Sequence, residues 1–494
     1  MARGKVVLMV VVCLAVAAAA ASAASGGGHS RGRPGKSARL QLVPAAPGAS
    51  MAERARDDRR RHEYISARLA ASRRRRRAEE TSSVSSAGAV AASAFAMPLS
   101  SGAYTGTGQY FVRFRVGTPA QPFVLIADTG SDLTWVKCRG AASPSHATAT
   151  ASPAAAPSPA VAPPRVFRPG DSKTWSPIPC SSETCKSTIP FSLANCSSST
   201  AACSYDYRYN DNSAARGVVG TDSATVALSG GRGGGGGGDR KAKLQGVVLG
   251  CTTAHAGQGF EASDGVLSLG YSNISFASRA ASRFGGRFSY CLVDHLAPRN
   301  ATSYLTFGAG PDAASSSAPA PGSRTPLLLD ARVRPFYAVA VDSVSVDGVA
   351  LDIPAEVWDV GSNGGTIIDS GTSLTVLATP AYKAVVAALS EQLAGLPRVA
   401  MDPFDYCYNW TARGDGGGDL AVPKLAVQFA GSARLEPPAK SYVIDAAPGV
   451  KCIGVQEGAW PGVSVIGNIL QQEHLWEFDL NNRWLRFRQT SCTQ

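Results

Sequence analysis

Residues 123–132 read Phe-Val-Leu-Ile-Ala-Asp-Thr-Gly-Ser-Asp: an apolar run at strand length ends in the carboxylate of Asp128 and then turns sharply. Residues 364–373, Gly-Gly-Thr-Ile-Ile-Asp-Ser-Gly-Thr-Ser, do the same with Asp369. One Asp-Ser/Thr-Gly-Ser/Thr match alone is a surface turn, because Asp, Gly and Ser all favour turns. Here each match follows an apolar strand and precedes a second apolar run, Asp-Leu-Thr-Trp-Val from Asp132 and Ser-Leu-Thr-Val-Leu from Ser373. Further along, each half has an apolar pair before a small residue, Val266-Leu267-Ser268 and Val465-Ile466-Gly467. This internal repeat predicts two similar lobes, each giving one acid.

A carboxylate at the end of a buried strand must be paired or hydrogen-bonded. If Asp128 and Asp369 meet across a lobe boundary, they share one proton, and one acid's pKa rises while the other's falls. Such a pair can hold a water molecule: one carboxylate takes its proton as it attacks an amide carbonyl, and the other acid donates to the carbonyl oxygen. No metal and no cofactor is needed. Gly130 and Gly371 allow a tight turn and aim backbone N–H groups at the carboxylates. Thr129, Ser131, Ser370 and Thr372 supply hydroxyls to hold the acids.

Composition sets the surroundings. The chain has 494 residues, enough for two or three domains. The start, MARGKVVLMVVVCLAVAAAAASA, has a basic end, an apolar core and a small-residue cleavage site, so residues 1–23 are expected to be a signal peptide. Of 11 cysteines, Cys13 lies in that segment; the other ten are an even number, as for disulfides in an exported chain. Sequons at Asn195, Asn273, Asn300 and Asn409 are candidate glycosylation sites. Net charge is +12, yet residues 1–95 hold 17 basic and 6 acidic residues, which accounts for +11. The nearly neutral remainder argues against a nucleic-acid partner. No second apolar run approaches spanning length, so no membrane association is expected after signal cleavage.

Residues 24–95 read as a basic prosegment, helical over the Arg-rich stretch that starts at Met51. Structured sequence is expected to begin near Tyr104. Residues 96–310 form a first lobe, 311–323 a low-complexity inter-lobe loop and 324–494 a second lobe. Tyr110, Val112, Phe114 and Val116 alternate with other residues as in a strand. The stretch after Pro380, AYKAVVAALSEQLAGL, reads as a helix. Gly28-His-Ser-Arg-Gly32 has the spacing of a serine-hydrolase elbow but neither strand nor helix around it, and there is no His-Glu-x-x-His.

The motifs ADTGSDLTWV, YDYRYNDNSAARGVVGTD, DGVLSLG, RFSYCL, IIDSGTSLTVL and VIGNILQQEHLWEFDLNN together resemble the pepsin-like aspartic proteases, and among them the nepenthesin-like plant branch, over roughly Tyr104 to Cys492. The resemblance implies a mostly β, bilobal pepsin-like acid protease fold, with two β lobes around a substrate cleft and Asp128 and Asp369 as the catalytic pair. It implies a flap hairpin whose tyrosine is Tyr209, hydrogen-bonded to Trp135, and a second-lobe disulfide between Cys407 and Cys452. It also implies a monomeric secretory-pathway enzyme, extracellular (apoplast or cell wall) or vacuolar. Its substrates would be peptides or proteins, cut at acidic pH. The charge of the basic prosegment, read from the residues themselves, predicts self-inhibition, with Arg and Lys paired to cleft carboxylates at neutral pH and released on acidification. Three departures stand out: Ser268 replaces the family glycine, the flap reads Tyr-Asn-Asp-Asn-Ser from Tyr209, and an Ala/Pro-rich loop replaces the second Cys that the branch usually has soon after the one matching Cys138, which leaves the pairing of Cys138 open. The rival expectation is a binding protein on the same fold, as in plant xylanase inhibitors, which have lost the catalytic arrangement.

Overall fold

The strand Tyr110–Val116 buries Tyr110, Val112, Phe114 and Val116 in the main core, while Phe111 enters a second core on the opposite face. Both faces are thus covered, as in a sandwich. The chain reverses at Gly117, whose φ of 95° suits glycine, and returns antiparallel as Gln121–Asp128. That strand then pairs in parallel with Gly265–Ser268, putting Asp128 beside Ser268. In the second lobe Thr366–Ile368 runs parallel to Ser464–Ile466, with Ile368 beside Ile466. The two apolar pairs of the internal repeat are therefore the parallel partners of the two acid-bearing strands.

The computed structural model describes residues 51–66 except 53, 57, 60 and 64, and residues 95–101, 108–139, 165–190, 198, 200–208, 213–227, 241–257, 260, 262–298, 301, 303–308, 324–329, 332–412 and 422–493. The chain is mostly β and has two lobes. One sheet joins them: Arg287–Cys291 of the first lobe pairs antiparallel with His474–Asp479, and Arg324–Leu328 pairs with Trp484–Gln489. At this seam Phe288 stacks on Phe478 with ring centroids 4.6 Å apart and planes 3° from parallel, and Tyr337 closes on Phe478 at 4.9 Å.

Ordered structure starts earlier than the sequence indicated. A strand runs Phe95–Ser101 and pairs with both Ser303–Phe307 and Tyr110–Val116. Pro98 obscures it in the sequence, since proline gives up a ladder hydrogen bond. Upstream, the described residues of 51–66 are helical. The helix Thr379–Gln392 starts with Pro380 in its first turn and buries Ala381, Tyr382, Val385, Val386 and Leu389. Disulfides join Cys138 to Cys251, Cys185 to Cys203, Cys291 to Cys492 and Cys407 to Cys452, and Cys180 is disulfide-bonded as well. Among the described residues no helix is long and apolar enough to cross a membrane. The expected signal peptide and inter-lobe loop lie outside the described residues.

Truncating Phe478 should loosen the seam between the lobes. Phe478→Ala is expected to lower stability by about 3–5 kcal/mol, read as a lower denaturant midpoint with the disulfides intact.

Candidate functional site

The two acid-bearing turns meet. Asp128 is 2% exposed and Asp369 fully buried. Each carboxylate accepts a hydrogen bond from the glycine two residues on: Gly130 N–H to Asp128 Oδ1 at 2.9 Å, and Gly371 N–H to Asp369 Oδ1 at 3.0 Å. Each glycine is needed for close approach. A Cβ at Gly130 would lie 2.8 Å from Asp369 Oδ1, and one at Gly371 would collide with Asp128 Oδ1.

The hydroxyls divide into two sets. Thr372 Oγ1 donates to Asp369 Oδ2 at 2.6 Å, and Ser131 donates to the Asp128 backbone carbonyl at 3.4 Å. Thr129 and Ser370 instead lock the turns to each other: Thr129 N–H donates to Ser370 Oγ at 3.1 Å and Ser370 N–H to Thr129 Oγ1 at 2.8 Å. Ser370 Oγ also donates to Ala127 O at 2.9 Å. These two side chains therefore fix the acids by fixing the loops, where the sequence had suggested direct support.

Behind each turn sits a threonine that sequence reasoning passed over. Thr134 Oγ1 accepts from Ser268 N–H at 3.1 Å, and Thr375 Oγ1 accepts from Gly467 N–H at 3.2 Å. The signal was present, since both turns continue into Leu-Thr. The repeat breaks at one point. A Cβ at Gly467 would fall 2.5–2.7 Å from the backbone of Ser373 and Leu374. At the matching place in the first lobe Ser268 fits: its hydroxyl bonds Thr134 Oγ1 at 2.8 Å and accepts the N–H of Phe276, the first residue of helix Phe276–Phe284, at 3.1 Å. Asn468 and Gln471, also missed, tie the second turn down: Asn468 Nδ2 donates to Ser370 O and Gly108 O, and Gln471 Nε2 to Asp369 O and Ile466 O.

Between the acids lies Arg61, from the helical stretch 51–66. Its Nε reaches Asp369 Oδ2 at 2.7 Å, and its Nη2 reaches Asp128 Oδ1 at 2.6 Å and Asp369 Oδ1 at 3.1 Å. Burial raises the Asp128 pKa, and the neighbouring Asp369 adds to this; the Arg61 guanidinium opposes but does not cancel it. For Asp369 burial acts the same way, yet two Arg61 contacts, Thr372 and the Gly371 amide outweigh it and hold the pKa below the usual range. Asp369 receives more donors, so a shared proton belongs on Asp128.

The same stretch fills the groove around the acids. Ala55, Asp58, His62 and Ile65 form one buried stripe at helical spacing. Ile65 packs with Val333, Phe336, Val360 and Val463. Asp58 accepts the backbone N–H groups of Ser373 at 2.8 Å and Leu374 at 2.6 Å. His62 Nε2 donates to Val463 O at 2.5 Å.

Trp135 is fully buried, edge-on to Phe260 at 4.9 Å. Strands Ser204–Arg208 and Ala214–Ala227 pair as far as Arg208 opposite Ala214; Tyr209, between them, lies outside the described residues. So do Asn195 and Asn300. Asn273 is exposed, while Asn409 Oδ1 accepts from the N–H and hydroxyl of Thr411. Among the described residues no group of three or more His, Cys, Asp or Glu is placed to hold a metal.

Two β lobes joined by one sheet, each supplying an Asp-x-Gly turn to a shared cleft, define the pepsin-like fold. Comparison with known proteins agrees. Residues 110–309 match the family described as "Xylanase inhibitor N-terminal" and residues 336–489 the one described as "Xylanase inhibitor C-terminal". The chain is 32% identical to "Aspartyl protease family protein 2" of Arabidopsis thaliana, over 81% of this chain and 74% of that one. It is 29% identical to "Aspartic proteinase nepenthesin-2" of Nepenthes gracilis, over 79% of each. Among solved structures, conglutin gamma, a basic 7S globulin from lupine seeds, shares the fold with a TM-score of 0.60 at 20% identity, over 81% of this chain and 95% of that one. The chain belongs to the pepsin-like aspartic proteases, in their nepenthesin-like plant branch.

Ser268→Ala would strip the Phe276 amide of its acceptor and leave one hydroxyl partner of Thr134 unmade. A loss of about 1–3 kcal/mol is expected, measured by chemical unfolding, and Ser268→Gly should cost a similar amount for the same reason.

Proposed function

We propose that this chain is the precursor of a secreted aspartic endopeptidase whose catalytic pair is Asp128 and Asp369. The observation that carries the reading is the reciprocal geometry of the two turns, in which two buried carboxylates face each other across Gly130 and Gly371. With Arg61 withdrawn, the pair can hold a water. One carboxylate takes a proton from it as its oxygen attacks the peptide carbonyl carbon. The other acid gives its proton to the carbonyl oxygen, and the tetrahedral intermediate collapses with proton transfer to the leaving nitrogen. The chemistry needs one proton on the pair, so activity is expected at acidic pH. Tyr209 and Trp135 are assigned to the flap side of the cleft, and the disulfides favour an oxidising, secretory-pathway location.

In this reading residues 24–95 are the inhibitory prosegment, and Arg61 is its plug. It occupies the place of the water and neutralises both acids. The test uses full-length protein after acid treatment, with a denatured protein substrate at about pH 3–5. Cleavage blocked by pepstatin, and reduced roughly 10³-fold or more in Asp128→Asn or Asp369→Asn, is the expected result. A folded, processed protein that cuts nothing would favour the rival reading, a binding protein on the same fold.

Acid release of the segment has a second source besides the carboxylates. Burial lowers the pKa of His62; the Val463 carbonyl and Glu63 oppose this without reversing it. A histidine whose pKa is depressed when seated takes up its proton more readily when released. The seated state is therefore favoured above the free value of about 6.5 and weakens as pH falls below it. His62→Gln keeps a donor for Val463 but cannot charge. Its segment should let go at a lower pH than the wild type, followed as the pH at which processing begins.

A further inference from the structure

One face of the first lobe carries positive charge that the protein's own acids leave uncompensated. Along Tyr110–Val116 the residues Phe111, Arg113 and Arg115 alternate with those of the main core and point the other way. Phe111 enters the second core, Arg113 is half-buried and Arg115 is exposed. On the neighbouring strand Val124 stands opposite Arg113, and Pro122 opposite Arg115. The Val124 N–H donates to Asp264 Oδ2 at 2.7 Å, and Arg165 Nη1 reaches the same oxygen at 3.3 Å, which brings a third guanidinium to this face. Among the described residues neither Arg113 nor Arg115 has a carboxylate partner, and Arg113 Nε is buried without an acceptor. Burial lowers the Arg113 pKa, and repulsion from Arg165 and Arg115 lowers it further. At the nearby hairpin turn Lys243 Nζ donates to Thr118 Oγ1 at 3.3 Å, adding another cation. The chain beyond residue 95 is nearly neutral, so this concentration of charge is local. It also lies away from the cleft, since Val124 precedes Asp128 by four residues, about 13 Å of strand.

We propose that this face is a docking surface for an acidic polysaccharide, a polymer of uronic acids whose carboxylates pair with Arg113, Arg115 and Arg165. A guanidinium takes a carboxylate through two parallel N–H donors. Side chains two residues apart on a strand emerge about 7 Å from each other, so one small anion cannot serve the whole set, while a chain with regularly repeated carboxylates can. Each contact on such a surface is weak alone, and linking them along one polymer makes them add. An acidic peptide fits less well. The strand Tyr110–Val116 is already paired with Gln121–Asp128 on one side and with Phe95–Ser101 and Ala214–Ala227 on the other, so no free edge is left on which a peptide strand could be added. A polymer of linked sugar rings also has less conformational freedom to lose on binding than a polypeptide of equal charge. The proposal is independent of any activity at Asp128 and Asp369.

The test uses the full-length chain and a size-defined oligogalacturonate at neutral pH and low salt. Other arginines of this basic chain also attract polyanions, so the readout is residue by residue: the rate at which phenylglyoxal modifies each arginine, followed by mass spectrometry with and without the polymer. Arg113, Arg115 and Arg165 are expected to react several-fold more slowly when the polymer is present, and at full rate again when salt is raised. Slowing confined to arginines before residue 95 would overturn the proposal. The uncharged methyl ester of the same oligomer should protect nothing, and protection by it would overturn the ionic basis. Polyglutamate of equal charge should need about a tenfold higher concentration for the same effect; equal protection by polyglutamate or by anionic lipid vesicles would overturn the assignment to a polysaccharide. The double variant Arg113→Gln, Arg115→Gln removes two repelling cations, so its unfolding midpoint should be unchanged or higher. In that folded variant the polymer should no longer protect Arg165, and protection equal to that in the wild type would overturn the shared surface.

Discussion

Everything at the centre of this molecule depends on two loops being held against each other by a pair of crossed hydrogen bonds, Thr129 N–H to Ser370 and Ser370 N–H to Thr129. Two carboxylates brought together in a buried place repel, and nothing about the acids themselves would keep the lobes closed. The crossed bonds oppose that repulsion without touching either charge. The glycines then let the loops come close, and each loop is backed by a threonine, Thr134 or Thr375, that accepts an amide from the neighbouring strand. The site is thus a small rigid body shared by two lobes, with its buried carboxylates at one edge of a hydrogen-bonded frame.

Arg61 inverts the electrostatics of that frame. A buried, unpaired carboxylate couple costs energy, and a guanidinium with planar, divergent donors satisfies both members at once. Burial and the neighbouring Asp369 charge keep Asp128 above its usual range against Arg61, while Arg61, with Thr372 and the Gly371 amide, takes Asp369 below it. The segment's hold is distributed beyond this plug: Ile65 is in an apolar pocket, Asp58 is on two amides, and His62 is on a carbonyl. These anchors lie along one stripe of a helix, so they are made or lost together.

Much of this was legible in the sequence because the repeat is local. The apolar strands, the turn residues and the glycines lie within ten residues of each acid, and the helix Thr379–Gln392 announces itself by periodicity after Pro380. The Cys407–Cys452 bond followed from family resemblance. Three features depended on partners far along the chain. Arg61 is one arginine among many in its segment, and only the fold shows that it is 67 and 308 residues away from its two partners. Ser268 looked like a departure from the repeat because its acceptor and donor roles involve Thr134 and Phe276. The strand Phe95–Ser101 gains its order from pairing with Ser303–Phe307, about two hundred residues downstream, and proline hides it locally.

The bond between Cys291 and Cys492 has a topological consequence. It joins the last strand pair of the first lobe to the end of the chain, 201 residues on, and so closes the whole second lobe into a covalent ring. A cut at any one place within that ring leaves the pieces attached through sulfur. A molecule nicked between its lobes therefore stays a single particle until it is reduced, and would run as two fragments only after thiol treatment.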